Sequence, residues 1–265
     1  MLRLRSRGAP SHGLWSGAHA AHDSLVAMIA RGALCAMLLT GTTMPIEANA
    51  ATSEPQSSVD QPELRLASEV SGIDWVSVRA GSEHTIGIRS DGTLWAWGLG
   101  NWGPFGLDDA GPQNTPVQVG VGTDWVSVSA SYAHTLGIRS DGTLWAWGHN
   151  NYGQLGLGDQ EHRYSPVQVG SDTDWASVSA NSNHTLAIRS DGTLWAWGSN
   201  YFGEIGLSYD TTNRYWTPAQ VGSDTDWVSV SCGGCYTLGL RSDGTLWAWG
   251  VNNYGRLGPG DTTHR

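Results

Sequence analysis

Three histidines recur at one position of a repeated segment: His84, His134 and His184, each followed by threonine. Imidazole nitrogens are common zinc ligands, so a ring of equivalent histidines is one arrangement that could hold a metal ion. The fourth copy of the segment has Tyr236 at this position, which a hydrogen bond between repeats tolerates and a metal site does not. We therefore expect a repeated structural hydrogen bond and no metal site.

The same segment of the last repeat contains a second distinctive group, Cys232-Gly-Gly-Cys235. A single C-x-x-C lacks the second pair that would make a zinc site, and no βαβ pattern supports a thioredoxin-like redox motif. In an exported protein, this spacing predicts a local disulfide between Cys232 and Cys235. We expect no catalytic residues and no cofactor, because every noteworthy Ser, His and Asp belongs to the repeat.

These groups are positioned by four copies of one unit. The nonapeptide Ser-Asp-Gly-Thr-Leu-Trp-Ala-Trp-Gly occurs four times, at spacings of 50, 50 and 52 residues, at 90–98, 140–148, 190–198 and 242–250. Alternating apolar and polar residues around it predict strands, and Asp141-Gly142 predicts a type I′ hairpin turn. Four strands per unit of this length are typical of one blade of an all-β propeller.

The tryptophans of the nonapeptide are predicted to form the core between neighbouring blades. Alternation places Trp145 and Trp147 on one strand face, and Leu144 and Ala146 on the other. No blade can bury both faces by itself, so neighbouring blades must stack. The second tryptophan of each copy is therefore predicted to be structural, at Trp97, Trp147, Trp197 and Trp249.

The order of motifs in each unit resembles the regulator of chromosome condensation repeat: D-W-x-S-V, H-T-L-x-I, S-D-G-T-L-W-A-W-G, N-x-Y-G-Q-L-G and P-V-Q-V. The resemblance covers residues 62–265 and implies a β-propeller, whose usual ring in that family has seven blades. This chain has four units, which we place at 72–121, 122–171, 172–223 and, incompletely, 224–265.

The last unit stops where a P-V-Q-V strand should begin. Pro62–Leu66 lies upstream of the first Asp-Trp pair and could supply that strand, which would close a small four-bladed ring through its termini. An open or truncated series of blades is favoured over this ring, because the tail ends inside a unit. A further alternative is that two half-rings pair, so that self-association completes the ring.

The N-terminal 50 residues predict a signal peptide. Four arginines precede an apolar stretch at 32–44, which ends in the A-x-A pattern of a cleavage site at Ala50. The basic region is long for a signal peptide, so translation could start at Met28. We expect cleavage after Ala50, a linker at 51–61, and a secreted or cell-envelope location.

The charge of the chain bears on its partners. Its 265 residues carry a net charge of −10 and contain no lysine. Removing the predicted signal peptide takes away four of 14 basic and two of 24 acidic residues, which leaves a charge of −12. Nucleic-acid binding needs clustered basic residues, so we expect no nucleic-acid partner.

We expect a set of aromatic residues outside the repeated positions to lie in loops, where a rigid scaffold typically carries its binding anchors. The predicted binding residues are Trp102, Tyr152, Tyr164, Tyr201, Phe202, Tyr209, Tyr215 and Trp216, with the stretch 208–216 as the best single patch. We expect a non-enzymatic exported scaffold that binds an unknown protein. One alternative is a module that binds cell-wall glycan, and the family resemblance implies another, a guanine-nucleotide exchange regulator.

Overall fold

All regular structure in the described part of the chain is β. The computed structural model describes residues 1–4, 73–108, 111–208 and 213–265. The strands in chain order are β1 (Leu2–Leu4), β2 (Trp75–Ala80), β3 (His84–Arg89), β4 (Leu94–Gly98), β5 (Gln113–Gln118), β6 (Trp125–Ala130), β7 (His134–Arg139), β8 (Leu144–Gly148), β9 (Arg163–Gln168), β10 (Trp175–Asn181), β11 (His184–Arg189), β12 (Leu194–Ser199), β13 (Arg214–Gln220), β14 (Trp227–Cys232), β15 (Tyr236–Arg241) and β16 (Leu246–Gly250). Within these ranges we find no helix of the length and apolarity that crossing a membrane requires.

The strands form four antiparallel four-stranded sheets, which confirms the expected blade architecture. Blade 1 is β2-β3-β4-β5, blade 2 is β6-β7-β8-β9, and blade 3 is β10-β11-β12-β13. Blade 4 is β14-β15-β16 with β1 at its outer edge. The predicted cleavage site and linker lie outside the described residues.

Each blade has two chemically different faces, as the alternation predicts. The tryptophan face carries Trp75 and Trp97 in blade 1, then Trp125 and Trp147, Trp175 and Trp197, and Trp227 and Trp249 in the following blades. The leucine face carries Ile86, Ile88 and Leu94 in blade 1, then Leu136, Ile138 and Leu144, Leu186, Ile188 and Leu194, and Leu238, Leu240 and Leu246. Each tryptophan face packs on the leucine face of the preceding blade, which gives three core clusters between four blades.

The turn between the second and third strands differs from the expected type I′ hairpin. Among the residues of this turn in blade 2, only Gly142 has a positive φ, at +79°, whereas a type I′ turn needs two such residues. Gly142 N–H donates to Arg139 O, and the Asp141 carboxylate accepts bonds from both the amide and the hydroxyl of Thr143. A type I turn followed by a glycine bulge results, because the Asp141 bonds hold that residue at negative φ.

The outer strand of blade 4 is assembled from both ends of the described chain. Arg265 exchanges two backbone hydrogen bonds with Gly250, as Arg163 pairs with Gly148 in blade 2. Further along the edge, Leu2–Leu4 pairs with β16 where Val-Gln-Val lies in blades 1 and 2 and Ala-Gln-Val lies in blade 3. Pro62–Leu66, which could have supplied this strand, lies outside the described residues. In the structure β1 occupies the edge.

Candidate functional site

A loop with an aromatic residue follows the third strand of every blade, and in blades 1 and 2 this loop rests on the outer strand of the next blade. In blade 1 the Asp108 N–H donates to Tyr164 O across the junction, and in blade 2 the Gly158 N–H donates to Trp216 O. The aromatic residues at the loop tips are Trp102, Tyr152, Phe202 and Tyr254. Successive loops are therefore neighbours on one side of the blades.

The first part of the candidate site is an aromatic and histidine cluster at the junction of blades 1 and 2. The Trp102 ring meets His149 edge-on at 5.7 Å and His162 at 5.3 Å between centroids. The two imidazoles stack on each other at 4.9 Å. Trp102 is 49 % exposed and has a φ of +71°, a backbone conformation that is unfavourable for a bulky residue. Strain of this kind is concentrated at functional sites.

The cluster continues across the junction of blades 2 and 3. Tyr152 lies 6.4 Å from His149 and 6.5 Å from Tyr201 between ring centroids. Arg214 donates to the Tyr201 hydroxyl and places its guanidinium 5.0 Å from the Tyr152 ring and 6.0 Å from the Trp216 ring. We call this continuous surface the aromatic ledge, and define it as Trp102, His149, Tyr152, His162, Tyr201, Arg214 and Trp216.

Hydrogen-bond donors from the loop fix the tautomers of both ledge histidines. The Asn150 N–H donates to His162 Nδ1, so His162 carries its proton on Nε2. Gln154 Oε1 accepts the Tyr152 N–H, which leaves the Gln154 amide nitrogen to donate to His149 Nδ1. Both imidazoles therefore keep an Nε2–H donor, and neither Nε2 has a hydrogen-bond partner among the described residues.

Burial lowers the pKa of both ledge histidines. For His149 the neighbouring His162 lowers the pKa further, and for His162 the carboxylate of Glu161 acts in the opposite direction. The ledge thus combines neutral Nε2–H donors, one guanidinium and several aromatic rings. These groups suit a partner that presents hydrogen-bond acceptors together with apolar or aromatic side chains.

The structure brings together four of the residues predicted to bind, Trp102, Tyr152, Tyr201 and Trp216. Tyr164 and Phe202 are 42 % and 47 % exposed but have no ring contact within the described residues. Tyr215 donates its hydroxyl to Ser208 O and packs against two of the core clusters, so its ring is part of the scaffold. Tyr209 lies outside the described residues.

Sequence reasoning missed His149, His162 and Arg214, which join the aromatic residues into one surface. His162 and Arg214 occupy equivalent positions, four residues before the repeated proline: His162 directly precedes β9, and Arg214 begins β13. Aligning the repeats and asking where polar residues flank the loop aromatics would have indicated both. Nothing in the local sequence marks His149, which stands where the other units have Leu99, Ser199 and Val251.

The repeated histidines bridge neighbouring blades in the structure. Each lies with Nε2 near the threonine hydroxyl of the next blade: His84 to Thr135 at 3.2 Å, His134 to Thr185 at 3.3 Å, and His184 to Thr237 at 3.5 Å. Each threonine hydroxyl donates to a loop carbonyl, of Pro104, Gln154 and Glu204 respectively, so the histidine must be the donor. Burial lowers the histidine pKa values to about 4, about 3 and about 4.

Cys232 and Cys235 are free thiols in the structure, which corrects the disulfide that the sequence led us to expect. Cys232 is buried in the junction with blade 3, where its thiol donates to Ser179 O at 3.1 Å. This contact between blades holds the sulfur in the core cluster, away from a bond with Cys235. Burial raises the pKa of the Cys232 thiol to about 12, so it is not a reactive thiolate.

A cavity of about 490 Å³ opens between blades 2 and 3 and is lined by Trp175, Trp195 and Arg189. The Arg189 guanidinium lies 4.6 Å above the Trp175 ring and 4.0 Å above the Trp195 ring, and it pairs with Asp172 at 2.6 Å. Equivalent arginines cover the same tryptophans in every blade. This stack belongs to the scaffold, and it leaves the ledge as the candidate functional site.

Comparison with known proteins supports the same architecture. A family model described as the RCC1-like domain matches residues 29–265. The mitochondrial RCC1 domain-containing protein RUG3 of Arabidopsis thaliana is 53 % identical over 34 residues, which are 13 % of this chain and 8 % of RUG3.

Two solved structures share the fold over most of this chain. Yeast RCC1 (Prp20), solved bound to Kap60, superposes with a TM-score of 0.65 and 22 % identity over 73 % of this chain and 48 % of Prp20. Human WBSCR16 superposes with a TM-score of 0.63 and 21 % identity over 72 % of this chain and 50 % of WBSCR16. The chain therefore spans about half the length of these two structures.

Proposed function

This chain belongs to the RCC1-like domain family, and we propose that it is a non-enzymatic scaffold that binds another protein through the aromatic ledge. The observation that carries the proposal is the unbroken series of ring contacts from Trp102 to Trp216 across three blades. Exposed tryptophan, tyrosine and arginine are the residues that most often dominate the energy of a protein interface.

The fold neighbours give the proposal a precedent. Yeast Prp20 has been solved bound to Kap60, and its binding to Gsp1p and histones has been characterised. Those partners belong to Prp20. For this chain, the Nε2–H donors of the half-buried His149 and His162 favour a partner surface that presents hydrogen-bond acceptors beside aromatic or apolar side chains.

The proposal is tested by capture of a partner with the tagged protein and with two ledge variants, Trp102→Ala and Trp216→Ala. We expect each variant to weaken binding by about tenfold or more, as truncation of an interface anchor does. Both variants should keep the circular dichroism spectrum of the parent, because neither side chain belongs to a core cluster. Unchanged binding by both variants would refute the ledge as the site.

Tyr254→Ala is the matched control. Tyr254 occupies the loop position of Trp102 and Tyr152 in blade 4, and it is 86 % exposed, but it makes no contact with the ledge residues. We expect this variant to bind the partner as the parent does. Equal losses in Tyr254→Ala and Trp102→Ala would show that exposed aromatics in general, rather than the ledge, carry the binding.

The alternatives are separate outcomes of the same assay. Retention of the protein on cell-wall glycans, with equal sensitivity to Trp102→Ala, would assign the ledge to a carbohydrate. Capture of a small GTPase with acceleration of its nucleotide release would assign a regulator of nucleotide exchange. Outside the ledge, arginines cover the first tryptophan of each nonapeptide, so these repeated rings offer no free face on which a sugar could stack. We therefore favour a protein partner.

We also propose that the protein is exported, on the basis of the basic and apolar pattern that ends at Ala50. N-terminal sequencing of the protein from its native source tests this directly. Export predicts a mature N-terminus at Ala51. An intact Met1 in the mature protein would contradict it, and would also keep the β1 strand that pairs with β16.

A further inference from the structure

Among the described residues, no blade packs on the tryptophan face of blade 1. Val78 of this face is 54 % exposed, whereas the equivalent Val128, at the junction of blades 1 and 2, is 2 % exposed. Trp75 and Trp97 are half-buried, although the equivalent tryptophans of blades 2 to 4 are all buried. A large apolar surface of this kind on a soluble domain usually marks an interaction site.

The leucine face of blade 4 is the matching surface at the other end. Leu240 and Leu246 are each 38 % exposed. Their equivalents in blade 2 are Ile138, which is 2 % exposed, and Leu144, which is fully buried under the tryptophan face of blade 3. The two ends therefore present the two kinds of face that pack on each other in the three junctions within this chain.

The backbone groups of the two ends match in the same way. At every junction the first tryptophan donates its N–H to the turn glycine of the preceding blade: Trp125 to Gly92, Trp175 to Gly142, and Trp227 to Gly192. Trp75 and Gly244 are the corresponding donor and acceptor, and they have no such partner among the described residues. Apolar packing and backbone pairing are thus both incomplete at both ends.

We propose that a second copy of this chain covers these faces, so that the tryptophan face of one copy packs on the leucine face of the other. A second copy supplies the two missing halves at once, with the residue types that the internal junctions already use. Two copies of the four described blades make eight, which lies within the range of four to eight found in propellers. The two junctions are then related by one two-fold axis, as a closed dimer requires.

This inference is independent of the proposed partner of the aromatic ledge. The ledge lies on loops of blades 1 to 3 and on the start of β13, whereas the pairing faces are the broad sides of blades 1 and 4. If the protein pairs, but Trp102→Ala and Trp216→Ala both bind the partner as the parent does, the proposed function is refuted and this inference is kept. A monomer that binds through the ledge would do the reverse.

Light scattering of the purified 265-residue protein during size-exclusion chromatography tests the pairing. We expect a species of twice the 28.3 kDa chain mass. Val78→Asp on the tryptophan face and Leu246→Asp on the leucine face should each give the monomer mass, because each places a charge in both junctions. The melting temperature of each variant under monomeric conditions shows whether the fold is retained.

Val76→Asp is the matched control for Val78→Asp. Val76 is 63 % exposed, and its equivalents Val126 and Val228 stay 57 % and 53 % exposed although their blades have neighbours. The position therefore faces solvent even within a complete junction. We expect Val76→Asp to remain a dimer.

Mixing the two monomeric variants tests the head-to-tail geometry. One junction in the mixture joins the intact leucine face of Val78→Asp to the intact tryptophan face of Leu246→Asp, so a dimer should reappear. Pairing between like faces would give no such rescue and would overturn the proposal. A parent protein that is monomeric at all concentrations, that forms an open series of oligomers, or that is part of a longer native chain with further blades would overturn it as well.

Discussion

The junction between blades 2 and 3 and the two uncovered ends are built from the same residue types but differ in what surrounds them. In the junction, Trp175 is 3 % exposed and Leu144 is fully buried, and the His134 ring reaches Thr185 of the next blade. At the ends, Trp75 is half-buried and Leu246 is 38 % exposed. Equivalent side chains are buried or exposed according to whether a neighbouring blade is present. Much of the stability of this fold therefore comes from contacts between blades.

The largest expected difference between the junctions and the uncovered ends is in the pH dependence of stability, because three buried histidines lie in the junctions. Burial holds the pKa values of His84, His134 and His184 at about 3 to 4, below the unfolded value of about 6.5. Below about pH 6.5 the unfolded chain binds protons that the folded chain excludes, so the free energy of unfolding falls as the pH falls. With three such histidines, the free energy of unfolding changes by up to about 4 kcal/mol per pH unit near pH 5.

Urea unfolding between pH 7 and pH 5 measures this slope. His134→Gln should reduce it by about one third, since each histidine contributes about 1.4 kcal/mol per pH unit. The uncovered leucine face has Tyr236 at the histidine position, so completing the last junction would add no further proton linkage of this kind. A free energy of unfolding that stays constant over this pH range would contradict the buried neutral histidines.

A matched leucine pair tests the packing directly. Leu144→Ala removes a fully buried side chain from the junction of blades 2 and 3, and should cost about 3 kcal/mol in the free energy of unfolding. Leu246→Ala makes the same change at the uncovered end and should cost about 1 kcal/mol, because the side chain is already partly hydrated. Both are to be measured by denaturant titration in the Val78→Asp background, in which pairing of copies is blocked. Equal costs would mean that the leucine face of blade 4 is covered.

A glycine pair tests the backbone contact at the same two places. Gly142 and Gly244 both have φ near +79°, so alanine costs about 1 kcal/mol in backbone strain at either position. A Cβ on Gly142 would also lie 2.1 Å from Thr173 O, whereas a Cβ on Gly244 meets no atom within 4 Å. Gly142→Ala should therefore lower the melting temperature by several degrees more than Gly244→Ala. Similar melting temperatures would show that the turn of blade 4 is in contact with another segment.

The repeating part of this molecule could be predicted from the sequence, and the parts that join repeats could not. Alternation in the nonapeptide was sufficient to separate Trp147 from Leu144 on opposite strand faces, because strand periodicity is local. The aromatic ledge depends on contacts between residues about 50 positions apart, such as Trp102 with His149, which no local pattern encodes. The Cys232 thiol was misassigned for the same reason, since its partner Ser179 lies in the preceding blade.

We expect the smallest effect at the outer edge of blade 4. The sequence contains two copies of the tripeptide that forms this edge strand. Leu2-Arg3-Leu4 forms the edge strand in the structure, and Leu-Arg-Leu recurs at 64–66. In blades 1 to 3 the equivalent strand precedes the next unit's tryptophan by eight residues; from Leu64 to Trp75 the separation is 11 residues, and from Leu2 it is 73. Leu64–Leu66 can reach this edge only where blade 1 of a paired chain lies beside blade 4, and there its shorter connection favours it over Leu2–Leu4 by about 1.5 kcal/mol.

Deletion of residues 1–50 should consequently change the melting temperature of the paired protein by only a few degrees, because Leu64–Leu66 of the paired chain can take the edge that Leu2–Leu4 leaves. Deletion of residues 1–66 removes both copies, which uncovers the edge of β16 at Ala248, and should lower the melting temperature further. Circular dichroism melts of the two truncated proteins measure the difference. If the shorter deletion is as damaging as the longer one, Leu2–Leu4 is the only segment that fits this edge, and the predicted signal cleavage would leave blade 4 with three strands.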